Sequence, residues 1–565
     1  MKRAEKLSQF LALLSFLTIL VGSFFVYQLH AKQKYLEKVI PAFCGDNVGE
    51  GKLKIEKVIE TVVHKTNPWG ALQPQIKDAV LQVFAQVAEF NWLQPYQTPV
   101  QKMGAGTGFF IDDQGHFLTN AHVVIQSKAV TVQIPSLGKE QLEAEIISIC
   151  FDRDLALLKL KSAEFERVQK ALGKINFLQI GDSDTLYRAD EIMYQGFPLG
   201  QQGLKSTVGV VSGRENVGGR QYIQIDAATN PGCSGGPALN MNGEVIGVLN
   251  SGVPSAQNVG YLIPAKELKV VLHDLYHSQD PVVRRPFLGI AYNSGGTDLA
   301  KFLGNPTDGG VYVVTVYKDS VLYNAGVKAG DVIYEINGHK LDYYGDISVP
   351  WAEDKISLTE YTSYVSIEQL INLTVYRNGA RMVFNFKFEQ SKLPKIRFMY
   401  PDFEKIDYEI IGGFVVMELT LNHVLIMQSV DDLVPYKKPK HQNRSKLLIT
   451  HIFPASLAQR ARVFEAGNII KSVNEERVST LAEFRKALYK GVDGGNLTIR
   501  TKQDVFAVLP FTKVLQQELQ LSAIYHYPLS ETVQNLMHIL HKKGGSTSVA
   551  QDQSDQEVKA ELVVA

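Results

Sequence analysis

The sequence predicts a mainly β chain behind one membrane-spanning helix, and three observations carry that reading. Short β-rich runs punctuated by glycine fill much of the first half, a turn-and-strand signature recurs in the second half, and one long apolar run lies at the N-terminus. At 565 residues the chain exceeds one ordinary domain, and units of about 100 to 200 residues imply roughly three folded bodies.

The N-terminal element comes first. Lys2, Arg3 and Lys6 precede an apolar run from Leu7 to Leu29, close to the ~20 residues that cross a bilayer. Residues 1–30 therefore read as a membrane anchor, with insertion through residues 7–29. Leu29-His30-Ala31 approximates a small-x-small exit, so a cleaved signal segment is the second reading. Lys32, Lys34 and Lys38 put positive charge on the far side as well, which weakens the rule that would set orientation. Residues 31–78 mix charge with Pro41, Pro68, Gly70 and Pro74 and read as a stalk or irregular lead-in.

From residue 79 the pattern turns to strands: Val80 to Val87, Gly108 to Ile111, His116 to Thr119, Val130 to Ile134, Glu145 to Ile149, Leu155 to Leu160, Ile192 to Gln195, Gly209 to Ser212, Tyr222 to Ile225 and Val245 to Leu249. Strands at that spacing suggest paired barrels or a sandwich. Pro264 to Leu275 has helical apolar spacing, and Ser278-Gln279-Asp280-Pro281 breaks it, placing the first domain at 79–278. Beyond the break, Ala329-Gly330-Asp331-Val332-Ile333 with Glu335-Ile336-Asn337-Gly338 returns as Ala466-Gly467-Asn468-Ile469-Ile470 with Ser472-Val473-Asn474-Glu475. Two related α+β modules follow from that repeat, at 284–392 and 402–515. Residues 516–565 read as a C-terminal extension, disordered from about 542, where Gly544-Gly545-Ser546-Thr547-Ser548 begins a polar tail.

Composition excludes several functions. Lysine plus arginine (58) equals aspartate plus glutamate (58), leaving no field to hold nucleic acid. The three cysteines, Cys44, Cys150 and Cys233, have neither a disulfide-framework pattern nor CxxC spacing for zinc or redox work. No metal or cofactor is implied.

Chemistry concentrates in three places. Asn230-Pro231-Gly232-Cys233-Ser234-Gly235-Gly236-Pro237 crowds glycines around one serine, as an attacking hydroxyl with backbone N–H groups aimed at an oxyanion requires. Thr119-Asn120-Ala121-His122 runs a strand into a histidine, and Asp152-Arg153-Asp154 sets acids just before an apolar strand. Either acid could hold an imidazole in its working tautomer, with Asp154 preferred and Asp152 the fallback. A Gly-rich turn with an incidental serine, a structural histidine and a solvated turn acid are the bland alternatives; their conjunction in one β-rich region favours catalysis.

These residues lie in segments that resemble the HtrA/Deg group of trypsin-like serine proteases: GTGFFIDDQGHFLTNAHVV (106–124), DLALLKL (154–160), GFPLG (196–200), GVVSG (209–213) and QIDAATNPGCSGGPALNMNGEVIGV (224–248). The opening VLQVFAQVAEFNWLQPYQTP (80–99) is similar to the plant-type branch. The resemblance implies a trypsin-like double β-barrel followed by two PDZ-like domains. It implies Ser234 as nucleophile, His122 as general base and Asp154 as orienting acid, with an oxyanion hole over Gly232, Cys233 and Ser234 whose donors are the N–H groups of Gly232 and Ser234. Cys233 stands where the group usually has asparagine, and Thr229 near the primary specificity pocket brings no acid, so cleavage after small or medium apolar residues is expected.

In the first PDZ-like module Phe287-Leu288-Gly289-Ile290 resembles a loop that cradles a peptide C-terminus. No equivalent loop is apparent in the second, where Asn468 replaces an aspartate, so packing or oligomer contact is the expected work there. The insertion at 351–364 has no functional reading. The expectation is a serine endopeptidase of unfolded or misfolded proteins in envelope quality control, a homotrimer or larger. Its catalytic domain would lie outside the cytoplasm, on the periplasmic side of a bacterial inner membrane, secreted there after cleavage, or in an organelle. A membrane-tethered PDZ scaffold or holdase is the rival class.

Overall fold

The computed structural model describes residues 68–217, 220–252, 258–389 and 392–547. Residues 1–73 and 74–565 form two compact units. Of the first, only 68–73 are described, and they lie in helix α1 (Pro68–Ile76). The expected membrane segment at 7–29 lies outside the described residues. Among those described, no helix is long and apolar enough to cross a membrane.

The second unit begins with two closed barrels. The first joins β1 (Val80–Glu89), β2 (Val100–Phe110), β3 (His116–Thr119), β4 (Ser127–Gln133), β5 (Leu142–Cys150) and β6 (Leu155–Leu160) in the order β1-β2-β3-β6-β5-β4. Leu81, Val83, Phe110, Phe117, Val132 and Leu158 fill it. Two helices adorn it, α2 (Ala121–Val124) and α3 (Ser162–Leu172). The β2–β3 turn is set by Asp112, whose Oδ1 accepts from Gln114 N at 2.9 Å and His116 N at 3.0 Å, an Asx-type closure typical of short polar turns.

The second barrel takes β7 (Glu191–Gly196), β8 (Lys205–Val217), β9 (Arg220–Ile225), β10 (Pro237–Leu239), β11 (Val245–Gly252) and β12 (Gly260–Pro264) in the order β10-β11-β12-β9-β8-β7. Helix α4 (Ala265–His277) follows, burying Leu268, Val271 and Leu275. Strands β10 and β12 and helix α3 were not anticipated. The two strands are short, and their alternation is masked by Gly-Gly-Pro and by burial on both faces.

The first module holds β13 (Ile290–Asn293), α5 (Thr297–Leu303), β14 (Val311–Val316), α6 (Val321–Ala325), β15 (Val332–Ile336), β16 (His339–Lys340), β17 (Asp346–Ile347), β18 (Ile356–Ser357), α7 (Leu358–Ser363), β19 (Leu370–Arg377) and β20 (Ala380–Lys387). Its sheet runs β13-β14-β15-β19-β20, with β16 beside β15. The uninterpreted 351–364 insertion forms α7 and its approach, and it faces the second barrel and α4: Tyr364 Oη donates to Gln221 Oε1 at 2.6 Å, and Lys266 Nζ sits 3.8 Å over the Trp351 ring.

The second module contains β21 (Tyr408–Ile411), β22 (Phe414–Glu418), α8 (Leu421–Ile426), β23 (Leu447–Ile452), α9 (Leu457–Ala461), β24 (Ile469–Val473), β25 (Glu476–Arg477), α10 (Leu481–Gly494), β26 (Asn496–Thr501) and β27 (Phe506–Pro510). Its sheet order, β21-β22-β23-β24-β26-β27 with β25 beside β24, repeats the first module with one strand added at the edge. Packing continues beyond 515: α11 (Phe511–Tyr525) and α12 (Glu531–Thr547) supply Val514, Leu515, Val533 and Leu536 to the module's core. Helix α12 also runs past 542 to Thr547, while residues 548–565 lie outside the described residues.

Candidate active site

Strand β3 leads into Asn120, whose side-chain Nδ2 donates to the Asp154 carbonyl at 2.9 Å. Burial of Ala121, Val123 and Val124 in the single turn of α2 leaves His122 facing outward. Asp154 ends the tight turn between β5 and β6, in the left-handed region at φ +54°. Its Oδ1 accepts from His122 N at 2.9 Å and its Oδ2 lies 2.7 Å from His122 Nδ1. The carboxylate accepts only, so in the neutral ring Nδ1 carries the proton and Nε2 keeps the lone pair. Asp152 points elsewhere, its Oδ2 accepting from Arg285 N at 3.1 Å.

Ser234 comes from the second barrel, on the loop after β9. Gly232 has φ +94°, and a Cβ there would stand 2.4 Å from Phe197 O, so only glycine fits. The loop is fixed by Cys233 N donating to Asn230 O at 3.1 Å and Thr107 Oγ1 donating to Gly232 O at 2.7 Å. Thr107 N also donates to Ser234 O at 2.9 Å, stitching the barrels across the cleft. With Cys233 N taken, the N–H groups of Gly232 and Ser234 are the pair that meet no acceptor among the described residues. The Cys233 side chain is buried, and burial pushes its thiol up, away from thiolate chemistry. Thr229 is half-buried beside Ile225 and Gly260, where an added Cβ on Gly260 would meet Thr229 Cγ2 at 2.5 Å.

One residue escaped the sequence reading. Asn250, on β11, donates from Nδ2 to Asp154 Oδ2 at 2.7 Å, and its carbonyl accepts the Ser234 hydroxyl at 2.7 Å. The nucleophile candidate is therefore turned toward Asn250 in this conformation. A polar residue ending the apolar run Val245–Leu249 was the available signal.

The peptide-loop residues of the first module sit where its edge strand begins. Gly289 has φ +78°, and a Cβ there would be 1.9 Å from Ser320 Cβ. Leu288 O accepts from Leu322 N at 3.1 Å and Gly289 O from Tyr317 N at 2.7 Å. Phe287 is exposed, and among the described residues β13, opened by Ile290, pairs with β14 alone. The second module does have the same loop, contrary to expectation: Gly413 has φ +88° with a Cβ position 2.1 Å from Ser456 Cβ, Gly412 O accepts from Ala458 N at 3.2 Å, and Gly413 O from Phe453 N at 2.9 Å. It was hidden because Gly-Gly replaces the Leu-Gly spelling. Here, though, β21 pairs antiparallel with β22 along the edge that β13 leaves open. Arg485 on α10 clamps β21 through Glu409 at 2.7 Å and Asp407 at 2.7 Å, and the Glu518 carboxylate accepts from Gly412 N at 2.7 Å.

Comparison with known proteins finds relatives of both the barrels and the first module. Residues 106–248 match the trypsin-like peptidase domain family and residues 286–387 the PDZ domain family. A probable periplasmic serine endoprotease DegP-like from Marinomonas sp. (strain MWYL1) is 29% identical over 381 residues, covering 64% of this chain and 76% of that protein. One of the same description from Bartonella henselae is 29% identical over 421 residues, covering 72% and 75%. The chain is a serine endopeptidase similar to those of the HtrA/Deg type. Its fold also resembles the solved HtrA-type protease AlgW with decapeptide, at 24% identity and a TM-score of 0.43 over 57% of this chain and 98% of that one. The peptidase match of this serine endopeptidase runs from β2 into β11 and so includes His122, Asp154 and Ser234, and the PDZ match covers the first module.

Proposed function

We propose that this serine endopeptidase works through Ser234, His122 and Asp154. The observation that carries the assignment is the 2.7 Å contact between His122 Nδ1 and Asp154 Oδ2, on a carboxylate held by two further N–H donors. His122 Nε2 takes the proton as Ser234 Oγ attacks the peptide carbonyl. The developing oxyanion is met by the N–H groups of Gly232 and Ser234, and His122 returns the proton to the leaving amine. Water then hydrolyses the acyl-enzyme with His122 again as base. For this cycle Ser234 must leave the Asn250 carbonyl and turn to Nε2.

The substrates are unfolded or misfolded polypeptides outside the cytoplasm, in line with the periplasmic relatives, cleaved after small or medium apolar residues at a pocket bounded by Thr229. The first module captures peptide C-termini through Phe287, Leu288, Gly289 and Ile290, with the peptide adding to β13. The second module does not take peptides, since its own β21 fills that edge. The N-terminal run 7–29 holds the chain at the membrane, and the working form is a homotrimer or larger. A serine-reactive phosphonate probe tests the core of this reading: labelling lost in Ser234→Ala and slowed in His122→Ala and Asp154→Ala supports it. Labelling that persists in Ser234→Ala overturns it.

A further inference from the structure

The turn that presents Asp154 is gripped from outside the protease barrels. Phe151, the first residue after β5, stacks on Tyr400 with ring centroids 3.6 Å apart and planes 11° from parallel, and meets Phe403 edge-on at 6.1 Å. Both partners belong to the arm that links the two modules, about 250 residues downstream along the chain. The Phe151 carbonyl accepts from Asp154 N at 3.3 Å, which closes the turn, and from Arg220 at 3.1 Å. Movement of Phe151 therefore moves the backbone of Asp154, whose φ of +54° depends on that closure.

The arm is anchored to the barrels on one side and to the second module on the other. Glu404 accepts from Tyr400 N at 3.0 Å, from Arg397 at 2.6 Å and from Arg284 of the linker before the first module at 3.0 Å. Asp402 pairs with Lys128 of β4. On the other side, Ile396 N donates to Gln442 O at 2.9 Å, Leu421 N to Arg397 O at 3.0 Å, and Met399 N to Asn422 Oδ1 at 2.9 Å, bolting the arm to the second module. The same module also holds the β1–β2 loop, where Trp92 packs on His423 and Tyr96 on Phe453.

We propose that Tyr400 is a positioning residue for proteolysis: its ring, carried by the inter-module arm, holds Phe151 and thereby sets Asp154 against His122, so that the seating of the second module governs the competence of the triad. This rests on the reading of Asp154 as the orienting acid. The hydroxyl has no part in it; the ring plane does. A two-position coupling of this kind needs a contiguous packed path, and Tyr400, Phe151 and Asp154 form one of three residues.

The test uses the full chain and a fluorogenic peptide. Tyr400→Ala is expected to lower kcat ~10- to 10²-fold, the scale of an ångström-level misplacement of a catalytic group, with KM little changed. Tyr400→Phe should restore kcat. Tyr400→Leu, which keeps apolar bulk without a ring, serves if the alanine variant fails to fold, and it should behave as impaired. A loss of thermal stability in Tyr400→Ala or Tyr400→Leu with kcat unchanged overturns the proposal and leaves Tyr400 a packing residue. Asp154→Ala separates the two ideas: if it retains full activity, the reading of the triad has failed, whereas if it is inactive and folded Tyr400 variants are normal, only the coupling has.

Discussion

Asn250 binds Asp154 through its side chain, Nδ2 to Oδ2 at 2.7 Å, from the opposite barrel. The hydrogen bond ends on a charged group, a class worth about 1.5 to 3 kcal/mol, and its loss would let the carboxylate drift from His122. Asn250→Ala is expected to lower kcat ~10- to 10²-fold with KM nearly unchanged, and Asn250→Thr, which can still donate, should recover part. Steady-state kinetics on a short peptide decide it, and an unaltered kcat in Asn250→Ala would remove Asn250 from the site.

Gly232 offers a prediction about the oxyanion pair. A side chain there must adopt φ +94° and place Cβ 2.4 Å from Phe197 O. Gly232→Ala should therefore swing its own N–H away from the cleft, with a fall in kcat of ~10²-fold or more, the usual consequence of losing one such donor. Circular dichroism should remain that of a folded protein. Retention of near-normal kcat would place the oxyanion elsewhere.

Much of this was legible because the chemistry dictates local spelling. Ser234 is framed by glycines for tight turning, β3 and β6 are marked by short apolar runs just before His122 and just after Asp154, and the Ala-Gly-Asp turn of the first module recurs as Ala-Gly-Asn. What escaped depends on partners far away in sequence. Asn250 looks like a strand-end polar residue until the barrels meet, the Gly412-Gly413 loop lacks the neighbouring leucine of Leu288-Gly289, and Tyr400 is one aromatic among many until it lies on Phe151. The ends of α11 and α12 were lost because glycines at 544 and 545 suggest a tail, whereas Val533 and Leu536 hold the helix to the module core.

Glu518 makes the second module sensitive to rising pH. Burial is the main cause that pushes its carboxyl up to about 7, opposed by bonds from Tyr527 and Gly412. The folded value lies above the unfolded one, so the stabilising contribution is complete below about 4.5 and is lost as pH rises through about 7. Glu518→Gln keeps an oxygen for Gly412 N–H without the charge. Its melting temperature should exceed that of the parent at pH 8 and match it at pH 5; parallel curves would exclude Glu518 as the titrating group.

His423 gives the opposite slope. It is buried against Trp92, its Nε2 bonding the Trp92 carbonyl at 3.1 Å and its Nδ1 accepting from Thr420 N at 3.1 Å, so both nitrogens suit the neutral ring. Burial holds it down to about 4. The folded value lies below the ordinary ~6.5, so the folded state binds fewer protons between these limits. Stability is thus intact above pH 6.5 and lost as pH falls through 4, by up to ~3 kcal/mol. The proton has to enter where the second module meets the β1–β2 loop, so Trp92 fluorescence should change in acid before the barrels unfold. His423→Gln should flatten that acid transition, though it lowers stability at neutral pH, and an unchanged transition would assign it to other groups.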